Sequence, residues 1–156
     1  MNDKLVTLRN KHIVALMRRR ILEAAKAGKK ISDRELIDCV MSARPSMHYV
    51  TYAKASRKLH VIEREGEAGL VRCGCNGLAV RRWMELYGQV RDIMGRRGNC
   101  GFARALADAL NFSRPSSFYV TESTVRRLLA DNFCVCRCLM VDELGLGRTA
   151  LILLSD

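Results

Sequence analysis

Apolar positions along this chain recur mostly three and four residues apart, a spacing that predicts helices. From about Asp3 to Ala27, Ile13, Leu16, Met17, Ile21 and Ala24 form one stripe, with Arg18, Arg19 and Lys26 largely off it. Gly28 is a helix stop, followed by Lys29 and Lys30. Ser32 and Glu35 have the spacing of a capping box, so a second helix is expected over Asp33 to Ser42. Arg44-Pro45 cannot continue it, because the residue before a proline is pushed out of helical geometry. Tyr49 and Val50 are expected to be extended, and Thr51 to cap a third helix ending near Glu65-Gly66.

The same order of elements then returns. Four glycines between Gly66 and Gly77 mark an internal boundary. A helix from Leu78 to Met94 places Val80, Trp83, Met84, Tyr87, Val90 and Met94 on one side. Phe102 to Leu110 is the second helix of this copy, and Thr121 caps a third that turns Val125, Leu128 and Leu129 inward and stops near Asn132. Two short apolar runs follow, Phe133 to Val141 and Arg148 to Leu154, separated by Asp142-Glu143-Leu144-Gly145-Leu146-Gly147. They predict a C-terminal β-hairpin, a buried helix being the alternative for the last run. The expected fold is mainly α: tandem three-helix units resembling helix-turn-helix modules, over 1–66 and 78–132. Residues 133–156 would complete one shared compact domain.

A repeat at the residue level supports the duplication. Arg44-Pro45-Ser46-Met47-His48-Tyr49-Val50-Thr51 returns as Arg114-Pro115-Ser116-Ser117-Phe118-Tyr119-Val120-Thr121, and these contain both prolines of the chain. Eight of the sixteen positions from 44–59 match those of 114–129, the last two being Arg57/Arg127 and Leu59/Leu129. Repeats of this kind present one supersecondary element twice. Structure alone accounts for Pro, Tyr, Val and Thr: the proline ends one helix, Tyr-Val fills core volume and Thr starts the next helix. Arg and Ser are different. An arginine, a serine and a helix N-terminus together form a corner suited to a phosphate. The competing role for each arginine is complementing a helix dipole.

Charge strengthens that reading. Lys and Arg total 27 against 16 Asp and Glu, a net charge of +11, and twenty of the 27 are arginine. Residues 1–70 carry 15 basic and 8 acidic side chains, residues 71–156 carry 12 and 8, so both halves are basic. Such a balance favours polyanions, with simple solubility as the bland explanation. Candidate nucleic-acid contacts are Arg44, Ser46, Arg114 and Ser116 at the corners. Lys54, Arg57 and Lys58 follow Thr51, Arg126 and Arg127 follow Thr121, and Lys29, Lys30, Arg96 and Arg97 stand in the glycine-flanked loops. A strict helix-turn-helix joins its last two helices through three or four residues, whereas this connector is nearer eight to ten. Glu122 would oppose a phosphate at the second third helix, which makes the first copy the better base-reading candidate.

Other chemistry is poorly supported. Cys73-Gly74-Cys75 and Cys134-Val135-Cys136-Arg137-Cys138 are spaced one residue apart, where zinc sites favour two to four. On a strand the latter three would share one buried face. His12, His48 and His60 lack ligand spacing, and Phe118 in place of His48 points to packing. No nucleophile stands in a triad setting, and Gly145-Leu146-Gly147-Arg148-Thr149 lacks the spacing and lysine of a phosphate loop. No enzyme activity, cofactor or metal is expected. No apolar run reaches the roughly 20 residues of a membrane span, and the stripe beside Arg18-Arg19-Arg20 is needed for a core. Seven cysteines behind a polar N-terminus favour a reducing cytoplasm.

The Pro-x-x-x-Tyr-Val-Thr run entering a basic helix resembles small uncharacterised basic proteins of mobile or phage elements in Bacteroidales, over about sixteen residues in each copy. The resemblance implies a context rather than a mechanism: an accessory or regulatory protein, with the virion interior as a second location. The residues themselves favour a protein that binds duplex DNA through phosphates. A protein-interaction module, such as a virion component, an inhibitor or an accessory subunit, is the competing class.

Overall fold

The computed structural model describes residues 3–133, and the fold over these residues is mainly α. The expected hairpin and Cys134, Cys136 and Cys138 lie outside the described residues. Six helices are present among the described residues: α1 (Asp3–Lys26), α2 (Asp33–Ser42), α3 (Tyr52–Arg72), α4 (Gly77–Arg97), α5 (Phe102–Phe112) and α6 (Glu122–Phe133).

Local chemistry sets most of these bounds. After α1, the Lys29 amide donates to the Ala24 carbonyl at 2.8 Å. The expected capping box closes α2: the Glu35 amide donates to the Ser32 hydroxyl, and the Ser32 amide donates to the Glu35 carboxylate. The Ser32 amide and the Ser32 hydroxyl both donate to the Glu35 carboxylate at 2.7 Å, and these bonds hold the carboxyl below the usual carboxylate range. Thr51 and Thr121 cap α3 and α6, accepting from the amides of Lys54 and Thr124.

The end of α3 departs from expectation. Helical geometry is interrupted at Gly66, at the expected end, but a second helical segment runs on from there to Arg72. Gly66 carries the kink with φ 63 and ψ −159, which a side chain would make costly. Three residues on, Gly69 is buried, and a Cβ there would meet Glu65 Cβ at 2.6 Å and Val61 Cγ1 at 2.9 Å. The glycines that suggest a linker therefore serve a bent helix, and the break before α4 shrinks to 73–76.

The described residues form two compact units, one of residues 3–5 with 44–119 and one of 6–43 with 120–133. The first contains α3, α4 and α5, with α3 packed on both of the others. Its core joins Leu59, Ile62 and Leu70 from α3 with Trp83, Leu86 and Val90 from α4 and Leu106 from α5. The second contains α1, α2 and α6, and α6 packs on α2. It buries Ile13, Met17 and Ile21 of α1, Leu36, Ile37 and Val40 of α2, and Val125, Leu128, Leu129 and Phe133 of α6. An exposed ion pair between Arg34 and Glu122 joins α2 to α6, and Arg34 also pairs with Asp38 within α2.

The boundaries of these units fall elsewhere than those of the expected repeats at 1–66 and 78–132. Each third helix packs with the helix pair of the other repeat: α3 joins α4 and α5, and α6 joins α2. Connector length permits this exchange. Each connector of nine residues, 43–51 and 113–121, can span about 30 Å when extended. Consequently neither repeat folds back into a helix-turn-helix of its own. The chain passes between units at Leu5-Val6, at Ala43-Arg44, where the repeated motif begins, and at Tyr119-Val120, inside its second copy.

Candidate nucleic-acid interface

Two copies of the Arg-Pro-Ser corner meet on one helix. Both are built alike: the preceding helix ends at a residue of extended geometry, Ala43 (φ −75, ψ 144) or Ser113 (φ −87, ψ 147). The arginine and serine of each corner are exposed and the proline is buried. Within the first unit, α4 holds both. Gln89 is the link: its Oε1 accepts from His48 Nε2 at 2.8 Å, and its Nε2 donates to the Arg114 carbonyl at 3.0 Å. Arg82 donates to the Tyr49 carbonyl at 2.7 Å, and the Tyr49 and Phe118 rings stack with centroids 6.1 Å apart. Arg44 and Arg114 are thus carried by stretches fixed to one glutamine.

The corners differ in what fills them. The Ser116 amide donates to Glu85 Oε1 at 2.7 Å, and its hydroxyl to Oε2 at 3.0 Å. The Tyr119 hydroxyl also donates to Glu85. Burial, followed by the hydrogen bond to Glu85, pushes the Tyr119 phenol above its ordinary pKa. Tyr119 has φ 52, a left-handed backbone that a bulky residue adopts at a cost of about 1–3 kcal/mol. Its anchored hydroxyl offsets that strain. The second corner is therefore already occupied by an internal anion, so Ser116 is not free for a phosphate. Ser46 is exposed and makes no hydrogen bond among the described residues.

Other candidate residues fall in both units. In the first, Lys54 and Arg57 are exposed on the opening turns of α3, with Arg57 Nε donating to the Ala53 carbonyl. Lys58 is half-buried, its Nζ 3.4 Å from Cys75 Sγ. Arg96 is exposed, whereas Arg97 is paired with Asp108. In the second unit, Lys29, Lys30 and Arg127 are exposed, and Arg126 is paired with Glu122 at 2.6 Å. That pairing, with Arg34 nearby, holds the Glu122 carboxyl below its usual range and partly neutralises this helix start. Arg97, Arg126 and Ser116 are hence weaker candidates than sequence alone suggests.

Glu85 and Gln89, which hold the two corners, are not among the candidates drawn from the sequence. They stand four apart beside an otherwise apolar stripe, and that i, i+4 polar pair was the available signal. His48 fills the place of Phe118, and both are buried. Burial is the main cause holding His48 below the ordinary histidine pKa, partly opposed by the Gln89 bond. The folded state therefore disfavours the imidazolium. His48 should cost stability as pH falls below about 6.5, where the unfolded chain takes up the proton more readily. Thermal unfolding measured from about pH 7.5 to 5 should show this loss, and His48→Phe should flatten it.

Among the described residues, no group of three or more His, Cys, Asp or Glu side chains gathers as metal ligands, and Cys39, Cys73, Cys75 and Cys100 are free thiols. No described helix is long and apolar enough to cross a membrane. Fold and surface together define an arginine-rich helical protein whose third helices are exchanged between repeats. Comparison with protein-family models, curated proteins and solved structures finds no match.

Proposed function

We propose that this protein binds duplex DNA, through phosphates more than through bases, as a regulatory or accessory component of a mobile or phage element in a reducing cytoplasm. The observation that carries this reading is the pairing of Arg44 and Arg114: both are exposed, and Gln89 fixes the stretches that bear them to one helix. Lys54 and Arg57 at the start of α3 extend the basic surface of the same unit. Phosphate contacts of this type position a protein without carrying sequence information. The protein acts by binding and not by catalysis.

Replacing Arg44 and Arg114 together by alanine should weaken binding to every duplex sequence and flatten the salt slope. Fluorescence anisotropy with two unrelated duplexes checks this, with circular dichroism establishing that the variant is folded. Unchanged affinity would remove these arginines from the interface. A protein partner is the second reading, and Phe112 favours it, being 79% exposed at the end of α5. Wild-type protein without affinity for DNA at low salt would transfer the function to that surface.

A further inference from the structure

The two Arg-Pro-Ser turns follow helix ends of the same extended geometry and are alike in burial, but they are unlike in occupancy. At the second, one residue offers an amide and a hydroxyl to the two oxygens of a single carboxylate, that of Glu85. The turn is thereby seen to hold an oxyanion. At the first, Arg44 and Ser46 are exposed, and neither has a hydrogen bond or ion pair among the described residues.

We infer that the Arg44-Pro45-Ser46 turn is an open oxyanion site that takes a phosphate group, and that Glu85 is the built-in occupant that closes the duplicate turn. A phosphate presents more than one oxygen, matching the Ser46 amide and hydroxyl as the Glu85 carboxylate matches those of Ser116. The Arg44 guanidinium adds the charge complement that such an anion needs. Glu85 performs a second task by repelling phosphate from the Ser116 turn. One chain then offers one open corner rather than two, which sets the register of a bound backbone. As a site for a DNA phosphate, this inference rests on the proposed function, although the turn's affinity for phosphate can be measured without DNA.

The test is an amide-resolved NMR titration of the full chain, first with inorganic phosphate and then with a short duplex DNA. In wild-type protein the Ser46 amide should shift saturably with phosphate while the Ser116 amide stays still. In Glu85→Ala the Ser116 amide should respond as well, and the salt slope for DNA should rise by about one. A wild-type Ser46 amide that does not move, or Ser46 and Ser116 amides that move equally, overturns the inference, whatever the fate of the variant. If DNA binds without shifting Ser46, the open corner is refuted and the DNA reading stands. If phosphate shifts Ser46 and DNA does not bind, the oxyanion site stands and the DNA reading falls.

Discussion

Raising the salt concentration from about 50 to about 200 mM should weaken duplex DNA binding by about 10³–10⁵ if six to ten phosphates are engaged. The size follows from counterion release: each neutralised phosphate frees condensed cations, and added salt opposes that release. The protein has the charge for it, at +11 overall, with exposed arginines and lysines in the first unit that are not consumed by carboxylates. Arg97, paired with Asp108, should contribute little, because moving its guanidinium to a phosphate exchanges one anion for another. Anisotropy titrations at four or more salt concentrations read the slope directly. A slope near zero, with any affinity that survives at high salt, would show an interface that does not depend on phosphate contacts.

The second large effect concerns stability. Leu59→Ala should destabilise the unit of α3, α4 and α5 by about 2–5 kcal/mol, the usual range when a buried leucine is truncated. Leu59 is fully buried, in one core with Trp83, Leu86 and Leu106. Hydrogen exchange should show protection lost in α4 and α5, the helices of the other sequence repeat. Loss confined to α1 and α2, the neighbours of α3 in sequence, would contradict the exchange of third helices. Denaturant unfolding monitored by Trp83 fluorescence gives the magnitude, because Trp83 reports from that same core.

Much of the helical layout was legible before the structure. The Ser32–Glu35 box, the Thr51 and Thr121 caps and the Ile13-Met17-Ile21 stripe are local signals, and local chemistry decides them. The pairing of helices was not legible. A stripe such as Val125, Leu128 and Leu129 tells which side is buried but not against which of two similar helix pairs. The glycines from Gly66 to Gly77 misled for a related reason. In sequence they resemble a linker, yet Gly66 makes a bend and Gly69 a close contact, and only coordinates separate those roles. At the candidate interface, exposure of Arg44 and Arg114 agrees with the repeat motif. The closure of the Ser116 turn depends on a carboxylate 31 residues earlier, which no local pattern announces.

The exchange of third helices also dictates an order of events during synthesis. Domains generally fold as units as the chain emerges. Here α1 and α2 emerge first, yet α6, which completes their unit, is translated last among the described helices. They must wait for some eighty residues while the intervening unit of α3, α4 and α5 can assemble from a continuous stretch. Closing so long a loop adds conformational entropy to the barrier and slows the step. The later-made unit should therefore be the first to become protease-resistant on the ribosome, with α1 and α2 protected only once α6 has cleared the exit tunnel.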